Sequence, residues 1–187
     1  MTTRASASGT KPAERLRLFF GVWPPEATAL ALHGWAVATQ ATVAGRAITA
    51  TNVHLTLAFL GSVSSERLDH AIAAGRRVLA NRTALLLTEA RYWARSHIVW
   101  VGPKATPTPL AKLAAELHRE LAAAGFALDE REFVAHVTLL RDVPRLRGLP
   151  DLPEVEWPIT EFALARSETA AAGSVYTILE RFPLGYT

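Results

Sequence analysis

The chain has 187 residues, enough for one full domain or for two small lobes sharing a core. Half of the residues are hydrophobic and 20% are charged, and no apolar run approaches the length of a bilayer span, so the composition reads as a soluble globular protein without a transmembrane segment. A net charge of +3 suits an anionic ligand but is too small for the broad basic surface of a duplex binder, and the absence of cysteine excludes disulfides, thiol catalysis and cysteine-ligated metals while agreeing with a cytoplasmic protein.

Met1 to Glu14 is polar and rich in small residues with no apolar stretch, which reads as a flexible tail without a secretory signal. Leu16 to Trp23 reads as a buried strand, which Pro24-Pro25-Glu26 turns into a helix from about Ala27 to Thr39. Val53 to Leu60 is a strand closed by Gly61, and Ser64-Ser65-Glu66 starts a helix that runs to about Ala80. Ala84 to Ala90 and His97 to Val101 read most simply as a hairpin. The Pro107/Pro109 pair precedes an amphipathic helix, Leu110 to Ala124, ended by Gly125. Phe133 to Leu140 is a further strand, followed by a loop with Pro144, Pro150 and Pro153 and by closing strands Ile159 to Ala165 and Val175 to Phe182. The order predicts an α+β fold, a single bilobal domain over residues 15–187 with one motif strand in each half.

The motif is a short pattern that occurs twice. His54-Leu55-Thr56-Leu57 opens one apolar run and His136-Val137-Thr138-Leu139 opens another, 82 positions later (136 minus 54). Successive side chains of a strand point to opposite faces, so each copy sets a histidine and a threonine on one face and apolar residues on the other. Two such strands meeting bring together two imidazoles and two hydroxyls. That set contains an acid, a base and two neutral donors, and it suits displacement at phosphorus without a metal. A bare His-x-Thr pair is a weak signal, and the plain alternative is a pair of core histidines with satisfied hydrogen bonds.

Around these residues the chain resembles the 2H phosphoesterases, and within them the RNA 2′,3′-cyclic phosphodiesterases, also described as 2′-5′ RNA ligases of the LigT/ThpR type. Arg17-Leu18-Phe19-Phe20 with Trp23-Pro24 is similar to the family's opening strand. Asn52 to Gly61 resembles the first motif, Val99-Trp100-Val101-Gly102 the middle strand and Phe133 to Arg141 the second motif. Leu164-Ala165-Arg166-Ser167, Gly173, Tyr176 and Phe182-Pro183-Leu184 resemble the closing segment. The family usually carries proline just before the second histidine, where this chain has Ala135. The resemblance implies a bilobal, duplicated fold of two antiparallel sheets flanked by helices, with the cleft between the lobes.

Strand geometry and resemblance together assign His54 and His136 to acid–base catalysis, since an imidazole titrates near neutrality. The resemblance further implies His54 as the acid on the leaving 3′-oxygen and His136 as the base on water, giving a 2′-phosphate. Thr56 and Thr138 would donate to the phosphoryl oxygens. Arg141 lies five residues after His136, so strict alternation puts it on the opposite face; the resemblance nevertheless makes it a phosphate-binding residue. Phe20, Trp23, Trp100 and Tyr176 are base-stacking candidates whose ordinary fate in strands is burial. His33, His70, His97 and His118 read as structural or solvated. The expected partner is RNA or an oligonucleotide with a 2′,3′-cyclic phosphate end. No cofactor, metal or membrane is expected, and a monomer is the default. The competing readings are the reverse 2′-5′ ligation, a phosphodiesterase of small cyclic nucleotides or ADP-ribose cyclic phosphate, a non-catalytic RNA-end binder, and a histidine-only metal site.

Overall fold

The computed structural model describes residues 14–129, 131–146, 148–170 and 173–185. The predicted tail lies outside these residues apart from Glu14, whose carbonyl accepts the Ser65 N–H at 2.8 Å. The chain runs β1 (Arg15–Val22), α1 (Glu26–Val43), β2 (Arg46–Ala47), a 3-10 turn (Ala50–Asn52), β3 (Leu55–Ser64), α2 (Leu68–Arg77) and β4 (Thr83–Leu87). It continues through β5 (Glu89–Trp93), β6 (Ile98–Gly102), α3 (Thr108–Ala123), β7 (Val137–Arg141), β8 (Val155–Ile159), β9 (Glu161–Ala170) and β10 (Gly173–Pro183). Among the described residues no helix is long and apolar enough to cross a membrane.

The strands are antiparallel throughout, in the order β10-β9-β1-β3-β7-β6-β5 with β2 on β7, and β4 pairs with β8 apart from them. The two motif strands, β3 and β7, meet at Leu55 opposite Val137, where their pairing is confined to that one position. Two lobes therefore splay from a narrow seam: β1, β3, β9 and β10 on one side, and β2, β5, β6 and β7 on the other. The chain interleaves them. The first strand joins the last two in one lobe, while α1 packs on β7 and β2 of the other lobe and α3 packs on β3. No continuous stretch of chain makes either lobe by itself.

The leucine faces of the motif strands look into a shared core. Leu55, Leu57, Val137 and Leu139 are buried with Leu32 and Ala36 of α1 and with Leu110, Leu113 and Leu117 of α3. The apolar positions of α3 recur at Leu110, Leu113, Ala114, Leu117 and Leu121, one face of a 3.6-residue helix. Burial of each such leucine contributes roughly 1.5–3 kcal/mol, which fixes the sheet face that meets the helices. The histidines and threonines are left on the other face.

Three predicted elements are corrected. Gly61 does not close the first motif strand: at φ +69° it forms a bulge opposite Leu18, and β3 continues to Ser64. The run Ala84–Ala90 is two strands; β4 crosses to β8, and the hairpin forms between β5 and β6. The strand β8, missed in the proline-rich loop, contains Pro158 and pairs only with β4, where its missing N–H costs no second ladder.

Candidate active site

The chain approaches each motif strand in the same way. Nδ1 of His54 is 2.7 Å from the Asn52 carbonyl oxygen, and Nδ1 of His136 is 2.8 Å from that of Val134. In both cases the acceptor is two residues earlier. A carbonyl only accepts, so each Nδ1 carries the hydrogen and each Nε2 of the neutral ring is the acceptor nitrogen. Nε2 of His54 lies 3.1 Å from Thr56 Oγ1, which in the neutral ring means that the hydroxyl donates. Among the described residues Thr138 makes no equivalent bond to His136.

Continuing the antiparallel register from the Leu55–Val137 pair sets His54 across from Thr138, and Thr56 across from His136. All four side chains are partly exposed, whereas Leu55 and Val137 between them are fully buried. Thr56 lines both a cavity of about 300 Å³ containing His54 and Arg141 and a recess of about 370 Å³ containing His136. His54, Thr56 and His136 therefore line one continuous cleft, and Thr138 shares their sheet face through its register opposite His54.

Arg141 joins them for a reason strict alternation misses. The β6–β7 register steps from Trp100–Thr138 to Val99–Leu140, leaving Leu139 as an extra residue. Leu139 and Leu140 are both fully buried, and the parity shifts by one, so Arg141 emerges on the face of His136 and Thr138. The same device operates in β3. The register passes from Thr56–Gly21 to Ala58–Phe20, Leu57 and Ala58 are both buried, and Phe59 comes out into the cleft with 44% of its surface exposed. Phe59 is thus the counterpart of Arg141, five residues after its histidine. Sequence reading missed it, along with Arg17, whose guanidinium carbon stands 4.9 Å from the Phe59 ring centroid.

Each imidazole is walled by aromatic rings. His54 is stacked on Trp23 at 5.4 Å and flanked by Phe19 and Tyr176, with centroids at 5.1 and 5.0 Å. His136 meets the edges of Trp93 at 4.6 Å and Trp100 at 6.1 Å. Of the four aromatics singled out from the sequence, Trp23, Tyr176 and Trp100 reach a histidine. Phe20 instead is buried against Phe162 and Phe182. His118, read as structural or solvated, lines the His136 recess. His33 is tied to the Ile48 carbonyl at 2.8 Å, and His97 sits in the β5–β6 turn at φ +55° rather than starting a strand.

Burial holds His54 down to a pKa of about 4, against the hydrogen bond to Asn52, with the charges of Arg141 and then His136 adding to the depression. His136 is lowered as well, by burial first and by Arg141, against its bond to Val134. Arg141 therefore acts electrostatically on both imidazoles. Among the described residues no three histidine, aspartate or glutamate side chains are grouped to hold a metal ion. Ala135, where the resembled family carries proline, donates its N–H to Thr106 Oγ1 at 3.2 Å, a bond that proline cannot make.

Comparison with known proteins fits this architecture. The 2′-5′ RNA ligase superfamily matches residues 24–171. The chain belongs to that superfamily. It is 37% identical over 175 residues to an RNA 2′,3′-cyclic phosphodiesterase of Escherichia coli, spanning 92% of this chain and 98% of the relative. It is 33% identical over 186 residues to an RNA 2′,3′-cyclic phosphodiesterase of Thermus thermophilus, spanning 90% of each. The fold superposes on the crystal structure of E. coli LigT complexed with 3′-AMP with a TM-score of 0.85 at 35% identity, over 91% of this chain and 99% of that one. The α+β superfamily architecture expected from the motifs is the one this chain adopts.

Proposed function

We propose that the protein hydrolyses 2′,3′-cyclic phosphate ends of RNA to 2′-phosphates, without a metal, by acid–base catalysis between His54 and His136. The observation that carries the reading is the antiparallel meeting of the two motif strands, with each Nδ1 tied to a backbone carbonyl and each Nε2 turned away from it, that of His54 toward the Thr56 hydroxyl. The relatives named as RNA 2′,3′-cyclic phosphodiesterases support the substrate.

In this mechanism His136 removes a proton from water, whose oxygen attacks phosphorus as the bond to the 3′-oxygen breaks. His54 protonates the departing 3′-oxygen, and the phosphate stays on the 2′-oxygen. Thr56, Thr138 and Arg141 donate to the non-bridging oxygens, where negative charge grows. His54 has a low pKa in the empty cleft partly because Arg141 and His136 repel a proton there. A bound phosphodiester anion offsets those charges and so shifts His54 toward the protonated form that the acid role needs. The same steps with a 5′-hydroxyl in place of water as the nucleophile give 2′-5′ ligation, which must capture a second RNA end and so loses to hydrolysis in dilute solution. In this reading the protein works as a cytoplasmic monomer.

The test is an RNA oligonucleotide ending in a 2′,3′-cyclic phosphate, incubated with the protein in excess EDTA beside His54→Ala and His136→Ala. Turnover that survives EDTA and is lost in both variants is expected, with a 2′-phosphate product. A 3′-phosphate product would exchange the two histidine roles. Loss of activity in EDTA would replace the mechanism by a metal-dependent one.

A further inference from the structure

The catalytic cavity opens in two directions that differ in charge. Through Thr56 and Phe59 it continues into the His136 recess, which is walled by Asp129 and Glu132. Arg131 is the cation there, and it is already bonded to both carboxylate oxygens of Asp129. Through Arg141, Ser174 and Tyr176 the cavity continues into a groove of about 510 Å³ lined by Arg46, Thr49, Thr51 and Asn52. No carboxylate lines that groove among the described residues.

Within the groove, Arg46 and Arg141 stand directly opposite each other in the β2–β7 pairing. Like charges at facing positions of a sheet are destabilising. The carboxylate beside Arg46 is Asp142 at 3.5 Å, with side chains 51% and 74% exposed, an ion pair that solvent screens. At Gly173, with φ +122°, an added Cβ would come within 3.1 Å of an Arg46 guanidinium nitrogen, so the bare glycine backbone leaves that guanidinium room. Thr49 and Thr51 hold their hydroxyls 3.3 Å apart, while the Asn52 amide is engaged by the Ser174 carbonyl at 2.6 Å. Among the described residues the cross-strand arginine pair is matched only by that exposed Asp142, and no carboxylate in the groove itself faces it.

A 2′,3′-cyclic phosphate ends its strand, so the rest of an RNA leaves the cleft only through the 5′-oxygen of the last ribose. The next negative charge is the phosphate that joins the last two nucleotides. Resting on the cyclic phosphodiesterase reading above, we propose that the groove between β2 and the start of β10 binds this phosphate, with Arg46 as its ligand. Arg141 takes the reacting phosphate, its cross-strand neighbour takes the following one, and the carboxylate-walled recess repels the chain from the other exit. The enzyme accordingly selects RNA chains over cyclic mononucleotides.

Three substrates test this: adenosine 2′,3′-cyclic phosphate, a trinucleotide ending in the same cyclic nucleotide, and that trinucleotide with an uncharged methylphosphonate at its last linkage. The native protein should favour the charged over the neutral trinucleotide by about tenfold in kcat/KM, the size expected of one charge-assisted contact. Arg46→Gln should collapse that ratio to near one, and Arg46→Lys should retain most of it. The slope of log kcat/KM against log salt for the charged trinucleotide should fall by about 0.7 in Arg46→Gln, one single-strand phosphate contact. Equal treatment of the two trinucleotides, or an unchanged ratio in Arg46→Gln, overturns the inference while mononucleotide turnover keeps the function intact. No turnover of any substrate refutes the function instead. In that case fluorescence-anisotropy binding of the two trinucleotides as 2′-phosphates reads the Arg46 contact without catalysis, by the same ratio.

Discussion

The two halves of the cleft share a motif and differ in what surrounds it. Gly21-Val22 runs antiparallel to Thr56-Leu55, and Trp100-Val101 runs antiparallel to Thr138-Val137. Extending each pair by one residue sets Gly21-Val22-Trp23 against Trp100-Val101-Gly102, with tryptophan and glycine exchanged about a central valine. At Gly21 an added Cβ would lie 2.9 Å from the Leu55 carbonyl and 3.5 Å from the His54 ring, so the position stays bare and Trp23 stacks on the imidazole. In the other half Trp100 itself occupies that register and meets His136 by its edge. Five residues beyond the histidine the halves diverge again, Phe59 in one and Arg141 in the other. A nearly two-fold frame thus yields unlike surroundings: one imidazole sealed by three rings and bonded to its threonine, the other edged by two tryptophans and free of its threonine. The proposed division of roles between an acid and a base rests on that inequality.

Replacing either histidine by alanine is the strongest test of the comparison. Each substitution should lower kcat by about 10²- to 10⁴-fold, the range of a positioned acid or base. The double variant should fall little further, because either loss alone disables the concerted transfer. A variant that kept most of its activity would show that one half is scaffold rather than chemistry. The threonines sharpen the contrast at the next level. Thr56→Val should cost about 10²-fold in kcat, as for a lost donor to a developing oxyanion. It should cost more than Thr138→Val, since only Thr56 also holds Nε2 of its histidine. Steady-state kinetics showing equal losses would mean that the bond to His54 contributes nothing.

Arg141 acts on both halves at once, and its removal should be read in pH as well as rate. Its charge lowers both imidazole pKa values, so Arg141→Gln should raise both. In the native protein the kcat/KM profile, which reports the free enzyme, should peak below pH 6.5, between the His54 value of about 4 and the depressed His136 value. In Arg141→Gln the whole bell should move to higher pH, with kcat/KM lower by roughly 10- to 100-fold for the lost charge-assisted bond. A rate loss with an unmoved profile would place Arg141 away from the imidazoles.

How much of this was legible follows from what period-two alternation can carry. His54, Thr56, His136 and Thr138 were readable because each pair precedes the bulge in its strand. Beyond the bulge the parity inverts, and Phe59 and Arg141 fall where alternation forbids them. A bulge is set by pairing with the neighbouring strand, through Gly21 and Trp100, and pairing is not written locally. The same holds for Thr88, where one apolar run divides between β4 and β5 because the two halves of the run find different partners. The aromatic walls were partly legible: Trp23, Trp100 and Tyr176 carried weight in the sequence, whereas Phe19 read as part of a buried strand and Trp93 fell in the connection of the expected hairpin. Arg46 had no signal at all, since its meaning comes from the cross-strand Arg141.

The smallest expected effect lies where the chain enters each motif strand. Before His54, the Val53 N–H donates to the Ala50 carbonyl at 3.2 Å, inside a 3-10 turn. At the matching position before His136, the Ala135 N–H donates to the Thr106 hydroxyl at 3.2 Å, a side chain 29 residues away. One half thus relies on local backbone and the other on a tertiary bond. Thr106→Val keeps the shape and removes the acceptor, leaving a donor on the buried Ala135. The cost should be about 1–2 kcal/mol, or roughly 2–8 °C in Tm, at the 2–4 °C per kcal/mol expected for a chain of this size. Ala135→Pro removes the donor instead. In that background Thr106→Val should cost almost nothing, giving a coupling of about 1–2 kcal/mol in the double-mutant cycle. Additive losses by thermal denaturation would show that the second strand is set by packing alone, and that its start is as locally determined as the first.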